Sequence, residues 1–266
     1  MTRNTNPCFF TTEDNIWFQP TDHTRGPWHE DHCHAGPPTA LLARAIEQLN
    51  PQQKLVRITV NLLRPIPFSG FRIDAEITRQ GRIVTTCAAT LTDADQKTCA
   101  TATALQMTPQ PTQALPSHSV SYGRHADAFE GEFPIRKTLH DKPAFNGDGV
   151  VVKYPESQTP EPGPTIAWMK TVPLFKDEPA SPFQQICPLA DCGNAFSRNA
   201  EPWDFNFMNP DLTILLHRDP VGEWLGTSSS GYWEDNGIGM ADAQLFDETG
   251  SVGRALQTLL IRKTQH

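Results

Sequence analysis

The sequence predicts an α+β protein built from two similar halves, each an antiparallel sheet packed on one helix. In each half a helical segment with proline in its first turn comes first, at 36–46 and again near 179–183. A β-like run then ends in paired leucines that are followed closely by Arg64 or by Arg218. An acidic turn, at Asp93 or Asp247, joins the last two β-like runs. A repeated unit of this kind favours a site at the junction of the two halves.

The first helix is indicated by apolar residues that recur with a period near 3.6, which places them on one face. Prolines are favoured in the first turn of a helix, and Asn50 followed by Pro51 is a stop signal. The apolar positions are Leu41, Leu42, Ala45, Ile46 and Leu49.

The strands are indicated by a change to period two after this helix. Residues 56–63 alternate between apolar and polar side chains, and the runs 71–79, 82–92 and 97–107 are rich in Ile, Val, Thr and Ala. Short polar turns separate these runs. The pattern therefore predicts an antiparallel sheet wrapped on one helix.

The chain is predicted to divide into three parts. Residues 1–108 form the first helix-and-sheet domain, and residues 165–266 form the second. Between them, residues 109–164 show no periodicity and are rich in proline. We expect this middle part to be a linker, a lid or a partly ordered crossover.

The composition is that of a soluble globular protein, with 38% hydrophobic and 20% charged residues among 266. A net charge of −8 argues against nucleic acid as the main partner, because phosphate binding needs an excess of lysine and arginine on one face. No run of about 18 apolar residues is present, so no membrane span is expected.

The six cysteines are scattered without tight pairing, which favours reduced thiols, and the first residues lack the apolar stretch of a signal peptide. We therefore expect a cytoplasmic protein. His29, His32, Cys33 and His34 raise the possibility of a zinc site, but no second ligand pair such as CxxC accompanies them. A packing loop is favoured, and no metal or cofactor is predicted.

Several short motifs, in order and spacing, resemble the thioesterase-II-type acyl-CoA thioesterases. They cover most of the chain except its middle part. The resemblance implies two fused hotdog domains, each an antiparallel sheet around a central helix, and an acyl-CoA substrate that is hydrolysed to a carboxylic acid and CoA. The motifs are HAGPPTALLARA at 34–45, LRP at 63–65, NPDLT at 209–213, RDPVGEWL at 218–225 and GRALQ at 253–257.

The resemblance also implies a catalytic site of an aspartate, a glutamine and a threonine hydroxyl that together bind and activate water. The aspartate falls on Asp211 and the glutamine on Gln257. Counting without gaps places Tyr232 at the threonine position, so either Tyr232 or Ser230 is the candidate hydroxyl. On the residues alone, a structural role is favoured for both: Asp211 is typical of a strand start and Gln257 of a backbone partner. The serine-rich run is equally typical of an exposed strand.

The start of the first helix is the candidate site for the oxyanion and the substrate. Free N–H groups and the positive end of the helix dipole lie there, which points to Gly36 and Thr39, with His34 just before them. A protein with net negative charge needs local cations for the CoA phosphates, and Arg64 is the principal candidate. The other available cations are Lys54, Arg57, Arg79 and Arg82.

Two alternatives stay open at this point. A hotdog hydratase or dehydratase would use a histidine beside the aspartate, and it predicts His34 at the end of a polar tunnel. A non-catalytic acyl-ligand binding protein would bind without turnover. The thioesterase predicts instead that Asp211 and Gln257 converge. Because exposed sheet edges pair between chains, we also expect a homo-oligomer, a dimer of double hotdogs.

Overall fold

The computed structural model describes residues 7–113, 115, 120–135 and 137–264. The fold is α+β and has one sheet of fourteen strands among these residues, with three α-helices. In chain order the elements are β1 (Phe10–Thr11), β2 (Trp17–Pro20), α1 (Gly36–Leu49), β3 (Lys54–Leu62), β4 (Phe71–Arg79), β5 (Val84–Thr92), β6 (Thr98–Met107), β7 (Phe129–Gly131), β8 (Val150–Tyr154), β9 (Thr165–Thr171), α2 (Pro182–Ala190), α3 (Gly193–Phe196), β10 (Phe205–Met208), β11 (Asp211–Leu216), β12 (Leu225–Trp233), β13 (Ile238–Asp247) and β14 (Gly250–Lys263).

The strand order repeats in mirror image about the middle of the sheet. The first half runs β2-β4-β5-β6-β3, and the second runs β11-β14-β13-β12-β9. The two halves join where β3 pairs antiparallel with β11. At this seam Thr59 is opposite Thr213, and their hydroxyls lie 3.0 Å apart. The same spacing of 154 residues separates Arg64 from Arg218, so the repeated arginines occupy matching places beyond the seam.

Each half packs helices on the inner face of its strands. Pro37 and Pro38 fill the first turn of α1, where no N–H is needed, and Ser181 caps α2 by accepting a hydrogen bond from the Gln184 N–H at 3.1 Å. The helix α2 contains Pro188 and ends at Ala190, after which α3 starts at Gly193. The break in the second helix is therefore close to its internal proline.

The helices α1 and α2 lie side by side and run antiparallel. The start of α1 is so close to the end of α2 that a Cβ on Gly36 would lie 2.8 Å from the Pro188 Cα. At the other end, the Glu47 carboxylate accepts hydrogen bonds from Ser181 and Gln184. The packing brings the beginning of the first helix to the break between α2 and α3.

The middle part of the chain contributes to the sheet, which its lack of periodicity did not indicate. Within 109–164, β7 and β8 pair with each other, and β8 pairs with β9. Phe133, Ile135 and Phe145 from the same part are buried in the apolar core. The strands of the first half agree with the predicted runs to within two residues.

All six cysteines lie within the described residues and are free thiols, five of them buried. None of the described helices is long and apolar enough to cross a membrane.

Candidate active site

A cavity of about 390 Å³ opens where the two halves of the chain meet. The first half contributes the loop before α1 and the end of β3, and the second half contributes the α2–α3 region and β10. Apolar side chains of the middle part, Phe133 and Ile135, complete the wall. Polar groups on the wall include His34, Asp191, Asn194 and Asn209. A largely apolar pocket with a few converging polar groups is the usual form of a small-molecule site.

Asp191 lies in the break between α2 and α3, and its side chain is only 4% exposed. Its Oδ1 accepts a hydrogen bond from the Asn209 Nδ2 at 3.1 Å and from the Gln257 Nε2 at 3.3 Å. Its Oδ2 lies 3.2 Å from the His34 Nδ1. The carboxyl group therefore connects β14, the loop before β11 and the loop before α1.

Burial raises the pKa of Asp191 to about 7, since a carboxylate loses solvation in this wall. Hydrogen bonds from Asn209, the Gly36 N–H and Gln257 act in the opposite direction and lower this pKa. The result is a carboxyl group that changes protonation close to neutral pH. A pKa in this range suits a general base or acid.

Gln257 is buried on β14 and faces the helices, as the sequence predicted for its side chain. Its Nε2 donates to the Asp191 backbone carbonyl at 3.1 Å as well as to the carboxylate. Its Oε1 accepts from the Asn194 N–H at 2.9 Å. Every polar atom of the amide has a partner, so its orientation is fixed.

His34 approaches Asp191 from the first half of the chain, and its side chain is 14% exposed. The Gly36 N–H donates to its Nδ1 at 3.2 Å, and its ring stacks on Phe145 with centroids 4.0 Å apart. Burial lowers the pKa of His34 to about 3, so the ring is neutral near neutral pH. His34 thus lies beside the polar group of the cavity, where the hydratase alternative placed it.

Asp211 does not meet Gln257, so their expected convergence is wrong. Asp211 starts β11 as predicted, but its Oδ1 accepts from the Thr258 N–H at 2.7 Å on the outer face of the sheet. The reason is strand alternation: Leu212 and Ile214 are fully buried and take the inner face. The carboxylate beside Gln257 is that of Asp191.

Ser230 and Tyr232 also lie on the outer face, and the prediction that one of them reaches the site is wrong. Tyr232 is 54% exposed, whereas Thr227 and Ser229 are buried. The hydroxyls of Thr227 and Ser229 lie 2.7 Å apart and hydrogen-bond to each other. The residues that face inward on β12 are therefore shifted by one position from those that the count without gaps selected.

The place on β12 nearest to Gln257 is occupied by glycine. Gly231 pairs with Ala241, and Ala241 pairs with Gln257, so the three residues form one row across the sheet. A Cβ on Gly231 would lie 2.2 Å from the Ser197 carbonyl oxygen. No side chain fits at this place, because the chain after α3 already fills it.

The other predicted binding residues have different surroundings. Gly36 directs its N–H at His34 and Asp191, so this donor is used inside the protein. Thr39 is buried in α1 and is not part of the cavity wall. Arg64 does line the cavity, and it donates to the Thr98 carbonyl at 2.9 Å.

The sequence reasoning missed Asp191, Asn194 and Asn209 as site residues. Asn194 donates from its Nδ2 to the Asn209 Oδ1 at 3.2 Å, which closes a ring of polar groups around Asp191. The available signal was a set of polar side chains directly after a proline-interrupted helix and directly before β11. Buried polar groups of this kind require partners, which is the physical reason that they cluster.

The histidine loop shows no metal-binding geometry. His29 and His32 stack with ring centroids 4.3 Å apart, and His34 is turned to Asp191. Within the described parts of the chain, no three His, Cys, Asp or Glu side chains are arranged to hold a metal ion.

Two family models match the chain and together cover most of it. Residues 24–107 match the acyl-CoA thioesterase N-terminal domain, and residues 116–261 match the acyl-CoA thioesterase C-terminal domain. None of the curated proteins is significantly similar to the chain in sequence.

Solved structures share the fold at low sequence identity. The tesB protein of Mycobacterium avium subsp. paratuberculosis is 14% identical, with a TM-score of 0.69 and 95% of each chain covered. A conserved hot dog fold protein of unknown function from Alicyclobacillus acidocaldarius is 16% identical, with a TM-score of 0.69 and 96% of each chain covered. The acyl-CoA thioesterase II TesB2 of Mycobacterium marinum is 16% identical, with a TM-score of 0.62, and 96% of this chain and 95% of that chain are covered.

Proposed function

The chain belongs to the acyl-CoA thioesterase family, and we propose that it hydrolyses acyl-CoA with a water molecule that Asp191 activates. The observation that carries this proposal is the buried carboxyl group of Asp191 on the cavity wall, with a pKa raised to about 7. A general base is most effective when its pKa is close to the working pH. Asp191 replaces Asp211 in this role because it is the carboxylate that contacts Gln257.

Asp191 takes up one proton during the reaction and gives it back at the end, so the proton count balances. The ionised carboxylate takes a proton from water while the water oxygen forms a bond to the thioester carbonyl carbon. The carbonyl π electrons move to the oxygen and give a tetrahedral intermediate. This intermediate collapses, the carbon–sulfur bond breaks, and the thiolate of CoA receives the proton from Asp191. The products are the carboxylic acid and the CoA thiol.

Gln257 and Asn209 act as positioning residues in this proposal. Both donate to the Asp191 Oδ1, and neither is ionisable, so they stabilise the carboxylate and fix its direction without competing for the proton. Asn194 supports them by donating to the amide oxygens of Gln257 and Asn209. A fully partnered polar network of this kind is rigid, which a preorganised site requires.

In this proposal the two parts of acyl-CoA occupy different regions of the cavity. The acyl group would lie against apolar wall residues such as Phe133, Ile135 and Phe207, and the CoA portion would lie at the mouth. Exposed Trp28, His29 and Arg64 line that mouth. Arg64 would contact a phosphate, and the Trp28 ring would stack on the adenine base.

The division into two fused hotdog domains, 1–108 and 165–266, is part of the proposal. The mirrored strand order and the antiparallel helix pair support it. The assembly of two such chains into a dimer is proposed as well. Light scattering on the purified protein tests it, and a mass of one chain, 29.6 kDa, would reject it.

A hydratase or dehydratase is the second candidate, because His34 lies 3.2 Å from Asp191 at the polar end of the cavity. A histidine and an aspartate in contact can act as a base and an acid that add water to a carbon–carbon double bond. The measurement is the loss or gain of the absorbance of an enoyl-CoA, with no thiol released. An absorbance change of the enoyl-CoA that is faster than thiol release would favour hydration or dehydration.

The test of the main proposal is a panel of acyl-CoA substrates with short, long and aryl acyl groups. Free thiol and free carboxylic acid are both measured, with wild type and with Asp191→Asn. We expect equal amounts of the two products from wild type for at least one acyl group, and loss of turnover in the variant. Binding of acyl-CoA without any thiol release across the panel would reject hydrolysis in favour of a binding protein.

A further inference from the structure

In the row of Gln257, the strand β12 carries a glycine and so presents no side chain. Gly231 holds that position, and the Ser197 carbonyl oxygen blocks any side chain there. The nearest inward hydroxyls on β12 hydrogen-bond to each other. In this row β12 therefore offers no side chain to a substrate.

His34 is held in one orientation by three contacts. Its Nδ1 accepts from the Gly36 N–H at 3.2 Å and lies 3.2 Å from the Asp191 Oδ2, and its ring stacks on Phe145. Among the described residues, no group hydrogen-bonds to its Nε2. Once Asp191 has taken a proton, both groups at Nδ1 are hydrogen-bond donors, so in that state the proton of the neutral ring is on Nε2. His34 therefore offers one N–H donor to the cavity that it lines.

We propose that His34 is a catalytic residue of the hydrolysis, in which its Nε2–H donates to the thioester carbonyl oxygen and stabilises the oxyanion. The proposal rests on the function proposed above. His34 keeps its proton throughout: the water oxygen bonds to carbon, the π electrons move to the carbonyl oxygen, and only Asp191 gains and returns a proton. The site is thus assembled from both halves, with the base from the second and the oxyanion donor from the first.

A neutral ring suits this role, and the contact with Asp191 makes the Nε2–H a stronger donor when the tetrahedral intermediate forms. Burial at the start of α1 keeps His34 uncharged, and a neutral imidazole can donate to an oxyanion without losing its proton. Once Asp191 has taken the proton from water, its carboxylic O–H can donate to the His34 Nδ1. Hydrogen bonds in a chain polarise one another, so Nε2–H becomes a stronger donor in the tetrahedral state. Stabilisation that grows toward the transition state raises kcat.

The test compares His34→Leu with His34→Gln. Leucine removes the donor, and glutamine keeps a neutral N–H donor that is unable to act as a base. We expect His34→Leu to lower kcat by about 10² to 10³ with little change in KM, the loss typical of one oxyanion donor. His34→Gln is expected to recover at least about tenfold of that loss.

Binding and folding are measured on the same variants. A thioether analogue of acyl-CoA has no carbonyl oxygen, so its Kd should be the same for wild type and His34→Leu. Unchanged kcat in His34→Leu would overturn the proposal, and so would glutamine and leucine variants that are equally inactive while both fold and bind the analogue. Failure of the hydrolysis proposal itself gives a different result, namely no thiol release by wild type.

Discussion

Replacement of Gln257 by leucine should shift the pH dependence of hydrolysis without removing the base. The Gln257 Nε2 donates to the Asp191 Oδ1 at 3.3 Å, and this bond stabilises the ionised carboxylate. A hydrogen bond to a charged group contributes about 1.5 to 3 kcal/mol, and about 1.4 kcal/mol corresponds to one pKa unit. Because 3.3 Å is long for such a bond, we expect the smaller shift, an increase of about one unit.

The expected rate change follows from that shift. The pKa of Asp191 is about 7 in the wild type, so about half of the carboxyl groups are ionised at pH 7. An increase of one unit leaves about one tenth ionised, which lowers kcat/KM at pH 7 about fivefold. At pH values well above the new pKa, the carboxylate is fully ionised in both proteins. The activity of Gln257→Leu should therefore recover as the pH rises.

The assay is thiol release as a function of pH, because kcat/KM reports the pKa of the essential base in the free enzyme. Gln106→Leu is the matched control, since Gln106 is equally buried on β6 of the first half and has no contact with Asp191. The control should lose stability but keep the midpoint of the wild-type profile. A Gln257→Leu profile with an unchanged midpoint would refute the reasoning.

Three further predictions concern stability and packing. Because burial raises the pKa of Asp191 above its unfolded value, its contribution to stability is greatest below about pH 4 and declines as pH rises through about 7. In urea unfolding, Asp191→Asn should therefore be more stable than wild type by a few kcal/mol at pH 8 but not at pH 4. The same difference in free energy of unfolding at both pH values would contradict this. Gly36→Ala should cost about 1 to 3 kcal/mol, since its Cβ would lie 2.8 Å from a backbone atom of α2, while Gly147→Ala, with open space around it, should cost much less. Gly231→Ser should destabilise the protein and fail to raise kcat, because its Cβ would clash with a carbonyl oxygen at 2.2 Å; a faster enzyme would show that a hydroxyl can be accommodated there.

The helices and strands could be predicted because their hydrophobic periods are strong. The runs 71–79 and 97–107 correspond to β4 and β6 almost to the residue. The strands β7 and β8 could not be predicted, because short strands in a proline-rich segment depend on pairing with β9 for their formation.

The site was harder to predict, because a strand has two faces and a motif match does not say which one faces inward. Asp211, Ser230 and Tyr232 all fall on the outer face, one residue from the inward positions. The role of Asp191 depends on where the proline-containing helix ends and on a contact with His34, which lies 157 residues earlier in the chain. The inward orientation of the Gln257 side chain could be predicted, since an amide between inward apolar neighbours on β14 has an unambiguous face.

Asp191, and not Asp211, is the proposed base. Asp191→Asn and Asp211→Asn make the same chemical change in two carboxylates, one on the cavity wall and one on the outer face. The direct measurement is kcat for thiol release by both variants on the best acyl-CoA of the panel. We expect a loss of about 10² to 10⁴ for Asp191→Asn and a rate within about twofold of wild type for Asp211→Asn. The reverse order, with Asp191→Asn active and Asp211→Asn inactive, would contradict the claim.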